Sequence, residues 1–267
     1  MFLSPLILLP PSEGKSSGGD SPPLVLESLS FEQLNEARAL MIKALGQLSR
    51  KPLVAQNLLG VKGVALEKAL IDNVELGSTP TLPAIERYTG VMYDAIDYQS
   101  LNEAEKLCFD QNIIIMSGLF GAVRPFDLIP KYKLKMGAKL RRNMTCAAIW
   151  KPMVTKSLAT TADYGVIWDL LPNEHSAAWD ASKIGCSIRY TVKFLETGKG
   201  GRLVTVSHWS KALKGALVRH LVANPDVAGS SKLALDLLTE FTHPEGYVFH
   251  PNLTTELEGA TELVFLK

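Results

Sequence analysis

The chain has 267 residues, 46% of them hydrophobic, with 28 Lys and Arg against 27 Asp and Glu. That length and apolar content suffice to bury a sizeable core and exclude a disordered chain, while the balanced charge excludes any general attraction to nucleic acid or anionic membrane. Three widely spaced cysteines, Cys108, Cys146 and Cys186, fit neither a disulfide framework nor a zinc site and point to a reducing, cytoplasmic setting without a membrane span.

The first element is the apolar run Leu6 to Leu9, which reads as a buried strand. Its flanking prolines, Pro5, Pro10 and Pro11, and the lack of a leading basic residue argue against a signal peptide. Ser30 and Gln33 form a capping-box pattern that opens an amphipathic helix to about Leu48. A second such pattern, Ser100 and Glu103, precedes a helix that leads into the β-branched run Asn112 to Met116. Ala147 to about Ala159 has helical spacing, and "YGVIWDL" reads as another strand. The alternation of Ile188, Tyr190, Val192 and Phe194, the turn "GKGG" and the return "RLVTVS" predict a hairpin. A helix then begins near Trp209, and "YVFH" and "ELVFLK" read as final strands. Strands and helices interleave without the steady period of a βαβ array and without a linker or repeat. The expectation is one α/β domain over residues 1–267, of mixed α+β character, with a mixed sheet surrounded by helices.

The loop after the first strand, "PPSEGKSSGGD", carries the Gly-Lys-Ser that closes a phosphate-binding loop. A Walker loop would need a glycine at Leu9, amides where Pro10 and Pro11 have none, and a helix after Ser16. What remains is a loop at a strand end with Ser12 and Lys15 available to an anion, or else a solvated surface loop.

Positive charge collects in one segment. Between Asp127 and Asp163 there is no acidic residue, while Lys131, Lys133, Lys135, Lys139, Arg141, Arg142, Lys151 and Lys156 give a local charge of +8. In "KYKLKM" the lysines alternate with Tyr132, Leu134 and Met136, so a strand would present an ammonium face suited to a phosphate backbone, or a solvated edge. The helix from Trp209 to Val222 sets Lys211 and Lys214 side by side with Arg219 further round, and turns Trp209, Leu213, Leu217 and His220 the other way. "LLGVKGVALEKAL", Leu58 to Leu70, invites comparison with a DNA-binding helix-hairpin-helix, with Gly60 and Gly63 one residue further apart than the usual Gly-apolar-Gly. The bland alternative is a glycine turn between packed helices.

Catalytic patterns are few. HExxH, GxSxG and a dinucleotide fingerprint are missing, and the five histidines show no ligand spacing, so no metal or cofactor is implied. Glu174 and His175 are adjacent, and neighbours on a helix point apart.

The stretch "MSGLFGAVRPFDLIPKYKLKMG", Met116 to Gly137, resembles the signature of the YaaA family of peroxide-stress proteins: Ser-Gly-Leu-aromatic-Gly, Arg-Pro-x-Asp, then Tyr-x-Leu-x-Met-Gly. "LLPPSEGK" resembles the family's N-terminal strand and Ser/Lys loop in its actinobacterial-type form. "RYTGVMYDAID" resembles the segment ahead of the signature, and Glu174 matches an acidic position. Lys211, Gly215 and Arg219 in "SHWSKALKGALVRHL" match the basic helix, and "PEGYVF" resembles the C-terminal motif. The resemblance implies an α/β domain with a positively charged cleft, a helix-hairpin-helix at Leu58 to Leu70, and DNA binding linked to protection against peroxide.

Two functions follow as expectations. A binding protein would hold duplex or damaged DNA, independent of sequence, through Ser12, Lys15, Arg124, Tyr132, Lys133, Lys135, Lys211, Lys214 and Arg219. An enzyme would act on a nucleobase, nucleotide or related small molecule, with Lys15 and Lys211 holding an anionic group and Glu174 as acid or base, because mixed acidic, basic and hydroxyl groups suit a pocket that moves protons. Arg124 and Asp127 could equally form a salt-bridged turn that holds the glycine loop. Iron handling finds no ligand cluster.

Overall fold

A computed structural model describes residues 4–141, 143–161, 164–206, 209–243 and 245–267; Arg142, Asp163, Ser207, His208 and Pro244, which fall in the segments above, lie outside them. The strands are β1 (Leu6–Leu9), β2 (Ser21–Pro23), β3 (Pro80–Pro83), β4 (Ile113–Ser117), β5 (Gly121–Val123), β6 (Leu128–Ile129), β7 (Tyr164–Asp169), β8 (Cys186–Thr197), β9 (Leu203–Thr205), β10 (Val248–Phe249), β11 (Thr255–Leu257) and β12 (Ala260–Leu266). The helices begin with α1 (Asn35–Ser49), α2 (Pro52–Leu59) and α3 (Gly63–Val74). After α4 (Ala84–Arg87) and α5 (Val91–Ile96) come α6 (Glu103–Asn112), α7 (Cys146–Thr161), α8 (Asn173–Ser176), α9 (Ser210–Val222), α10 (Pro225–Ala228) and α11 (Ala234–Thr239).

The larger sheet runs β10-β12-β8-β7-β1-β4-β5, with β9 on β8 and β11 on β12. Its five central strands, β12, β8, β7, β1 and β4, are parallel, and β5, β9, β10 and β11 add antiparallel edges, which makes the sheet mixed. Parallel strands are covered on both faces, and "LILL", "IIIM" and "YGVIWD" are accordingly buried along their whole lengths. A three-stranded antiparallel sheet, β2-β3-β6, stands apart from the first.

The chain leaves β1 toward β4 on one side, and leaves β7 toward β8 on the other. Between β1 and β7 the direction of winding therefore reverses. In open α/β sheets a crevice forms outside the carboxyl ends of the strands at such a switch point. Here it receives Pro10 to Lys15 from β1 and Leu170 to His175 from β7.

The predicted helices form, with different starts. Ser30 does not cap α1, because its hydroxyl and amide both bond to Asp127 Oδ1. The second capping box lies two residues downstream, at Asn102 and Glu105, since the Ser100 hydroxyl donates to the Asp97 carbonyl. Close helix packing has its own signature: an added Cβ on Gly215 would lie 2.4 Å from the Met92 carbonyl oxygen, so α9 and α5 meet backbone to backbone.

Candidate functional site

Lys15 forms the floor of the crevice. No helix follows it; the chain instead bridges to Tyr88 and enters β2, which disposes of the Walker geometry. The buried Arg87 guanidinium pins the loop by donating to the Ser16, Ile129 and Pro80 carbonyls, and Tyr93 donates to the Pro10 carbonyl. Lys15 Nζ donates to the Ser12 carbonyl at 2.9 Å and sits over the rings of Tyr132, 4.2 Å from its centroid, and Tyr88, at 5.2 Å. Burial, and next the Lys133 ammonium, push the Lys15 ammonium down to about 7. The two ring faces favour the charged form and limit that fall. The Ser12 hydroxyl is committed to the loop, donating to the Gly14 carbonyl and accepting from the Thr89 amide.

The tyrosines are held in turn by the signature segment. Ser117, at the end of β4, accepts from the Leu119 and Phe120 amides and shares a hydrogen bond with the Tyr132 hydroxyl, which shares another with Tyr88. Gly118 lies so close to the Lys135 backbone that an added Cβ would fall 2.9 Å from its carbonyl carbon. Burial pushes Tyr132 up to about 12, so it stays a neutral phenol.

Lys131 to Lys135 is extended but is not a strand. Its period of two is real: Tyr132, Leu134 and Met136 are buried while the lysines reach solvent. In place of a neighbouring strand, the buried Asn73 side chain accepts from the Lys133 amide and donates to its carbonyl. Nor is the ammonium face bare. Lys131 pairs with Asp72 at 3.4 Å, and Glu13 pairs with both Lys133, at 3.1 Å, and Lys135, at 3.2 Å. The hydrogen bond from Lys133, foremost, holds the Glu13 carboxyl below its ordinary value.

Glu174 and His175 complete the site. They lie on α8, a single turn, and line the same small pocket of about 70 Å³ as Ser12, Lys15, Lys133 and Lys135. Sequence adjacency thus does not separate them as it would on a long helix. Glu174 Oε1 accepts from the Gly137 amide at 2.6 Å, and its other oxygen has no hydrogen-bond partner among the described residues. His175 Nδ1 is buried with no hydrogen-bond partner among the described residues, and burial depresses its pKa. Beyond Lys135 and Glu174 the pocket opens into a groove of about 630 Å³, walled by Lys139 on one side and by α2 with Gly60 on the other. Gly60 (φ 66°) ends α2 and Gly63 (φ 55°) begins α3, both in the left-handed region that favours glycine.

Other predicted residues are placed elsewhere. The Arg124 guanidinium donates to the Gln111 and Ile113 carbonyls at the amino end of β4, opposite the crevice, so the turn that holds the glycine loop is closed by the Arg124 amide on Asp127 and not by the expected salt bridge. Arg219 caps α5, donating to the Ile96 and Asp97 carbonyls and the Ser100 hydroxyl. Lys214 donates to the Leu170 carbonyl, and burial lowers its pKa. Lys211 is exposed on the first turn of α9 and lines neither the pocket nor the groove. His220 is half-buried, bonded to the Leu237 carbonyl and edge-on to Phe241. Sequence reasoning passed over Glu13, Asn73 and Tyr88, whose roles depend on partners far along the chain. Among the described residues no group of three or more His, Cys, Asp or Glu side chains is placed to hold a metal ion, and no helix is long and apolar enough to cross a membrane.

The model of the family described as peroxide stress protein YaaA matches residues 6–253. Among similar proteins, a UPF0246 protein of Streptomyces coelicolor is 38% identical over 219 residues, 82% of this chain and 83% of its own. A UPF0246 protein of Corynebacterium efficiens is 37% identical over 236 residues, 87% and 91% of the two chains, and one of Corynebacterium glutamicum is 31% identical over 233, 85% and 89%. With the signature segment supporting the crevice and a family match over nearly its whole length, the chain belongs to the YaaA family of peroxide stress proteins.

Proposed function

We propose that the protein binds duplex DNA along the groove between α2 and the Lys133 to Lys139 segment, independent of sequence, and shields it under peroxide stress. The observation that carries this reading is the shared wall: Lys135 and Glu174 border both the groove and the pocket, so a phosphate backbone lying in one would present a nucleotide to the other. Lys133, Lys135 and Lys139 supply the cations. The turn between α2 and α3 offers a helix-hairpin-helix contact, since the first amides of α3 have no intrahelical acceptor and favour an anion.

Fluorescence anisotropy of a labelled duplex across a salt series tests this. Each phosphate contact contributes about 0.9 to the slope of log affinity against log salt, so the double variant Lys135→Ala/Lys139→Ala should lower that slope by about 1.8. Binding that is absent, or equally salt-dependent in the variant, overturns the reading.

A second reading, an enzyme acting on a nucleobase, nucleotide or related small molecule, is favoured by Lys15, Glu174 and His175 lining one small pocket. Turnover that survives Glu174→Gln unchanged would remove Glu174 from that chemistry.

A further inference from the structure

We propose that Lys15 is an imine-forming amine, whose Nζ adds to a sugar aldehyde bearing a phosphate, such as the ring-opened deoxyribose of an abasic site in DNA. The proposal rests on the groove as a binding site for DNA and goes beyond shielding. Three lysines reach the pocket, and only one is suited to act as a nucleophile. Lys133 and Lys135 are each engaged in an ion pair with Glu13. Lys15 has no carboxylate within ion-pair distance among the described residues; it is half-buried with its ammonium over two tyrosine rings and lines the pocket, and burial pushes that ammonium down to about 7, toward the free amine. The Ser12 carbonyl, accepting from Nζ, fixes the direction of that amine.

The size of the pocket selects the ligand. One water needs roughly 10–15 Å³ of this kind of volume, so about 70 Å³ takes a fragment of a few heavy atoms. An open-chain sugar end fits that space better than a bicyclic base with its sugar. The neighbouring Lys133 and Lys135 suit the flanking phosphates, once they exchange Glu13 for them.

The step balances without an oxidant or a second substrate. The Nζ lone pair attacks the carbonyl carbon, the carbonyl oxygen takes up the proton released from nitrogen, and a carbinolamine forms. The Glu174 carboxylate, whose second oxygen has no hydrogen-bond partner among the described residues, takes the remaining proton from nitrogen and passes it to the hydroxyl, which leaves as water as the C=N bond forms.

Borohydride trapping tests the imine on the full chain. The probes are a labelled duplex with one abasic site, the same duplex with a tetrahydrofuran analogue that has no aldehyde, and free 2-deoxyribose 5-phosphate. A reduced adduct is expected from an aldehyde probe and none from the tetrahydrofuran duplex. Peptide mass mapping should place the adduct on Lys15, and Lys15→Arg should lose it. The trapping rate should rise tenfold per pH unit below about 7 and level off above it. An adduct from either aldehyde probe supports the imine, and the probe that reacts tells whether its source is DNA or a free sugar phosphate. No adduct, or one mapped to Lys133 or Lys135, overturns it. Anisotropy with the tetrahydrofuran duplex separates the two ideas: binding without an adduct refutes the imine alone, while no binding refutes the groove.

Discussion

Glu13→Gln should tighten DNA binding. In the free protein the Glu13 carboxylate occupies the two ammonium groups that the groove would turn toward a phosphate, at 3.1 Å from Lys133 and 3.2 Å from Lys135. The Glu13 side chain is 67% exposed, and those of Lys133 and Lys135 are 19% and 44% exposed, so both pairs are screened and each is worth about 0.2–1 kcal/mol. DNA must displace both. Removing the charge while keeping the shape therefore returns about 0.4–2 kcal/mol to binding, which is a gain of roughly 2- to 30-fold in affinity. The assay is anisotropy of a labelled duplex at two salt concentrations, with Glu258→Gln, in the exposed β11–β12 turn on the other side of the sheet, as control. An unchanged or weaker affinity for Glu13→Gln, or an equal gain from Glu258→Gln, would refute the idea that Lys133 and Lys135 meet the phosphates.

Arg219→Ala should cost stability, roughly 1–3 kcal/mol by urea denaturation, because the guanidinium holds the carbonyls that end α5; the salt slope of DNA binding should stay as it is. A reduced slope would return Arg219 to the phosphate contacts. Gly215→Ala should destabilise by roughly 1–3 kcal/mol, since its Cβ meets the Met92 carbonyl, whereas Gly46→Ala inside α1, with nothing nearer than 3.7 Å, should stabilise by roughly 0.5–1 kcal/mol. Equal melting temperatures for the two variants would contradict the close contact of α5 and α9. Lys15 is held at about 7 when folded against 10.5 for an ordinary lysine, so between those values the unfolded chain binds a proton that the folded chain does not. Stability from this group thus rises with pH across that window, and Lys15→Met should flatten the rise; parallel urea curves of the two proteins at pH 6.5 and 9 that differ by a constant amount would show that the amine is not depressed.

Much of the fold is legible in local pattern. The β-branched and apolar runs mark β1, β4, β7 and β12, and the alternation from Ile188 to Phe194 marks β8 together with its hairpin return. Strand order is not legible, because β7 lies beside β1 through pairings across more than 150 residues. Long-range pairing also displaces the first capping box, where Asp127 takes the Ser30 hydroxyl, whereas the second is displaced by the Asp97 carbonyl three residues away. It also makes Lys131 to Lys135 read as a strand: the side chains alternate as they would in one, but the backbone partner is Asn73, a side chain on α3. Of the site, the basic run and the Ser12/Lys15 loop are visible as chemistry, yet the carboxylates that neutralise the run come from Glu13 and Asp72, both far from it in sequence.

The signature segment Met116 to Gly137 carries two kinds of residue, and the division tells what the segment is for. Arg124 and Asp127 face away from the crevice and tie a turn. Ser117, Gly118 and Tyr132 face toward it without touching any open space: the serine fixes the tyrosine, the glycine admits the Lys135 backbone, and the tyrosine ring lies beneath the Lys15 ammonium. A surface that only attracts phosphate needs lysines in water and nothing under them. Burial of one lysine in this crevice raises the cost of its charge by more than the ring faces beneath it return, which works against simple anion binding and in favour of an amine that can give up its proton. On the imine proposal the segment supports one reactive lysine as well as lending cations, and Lys15, rather than the lysines of "KYKLKM", is then the residue around which the crevice is organised.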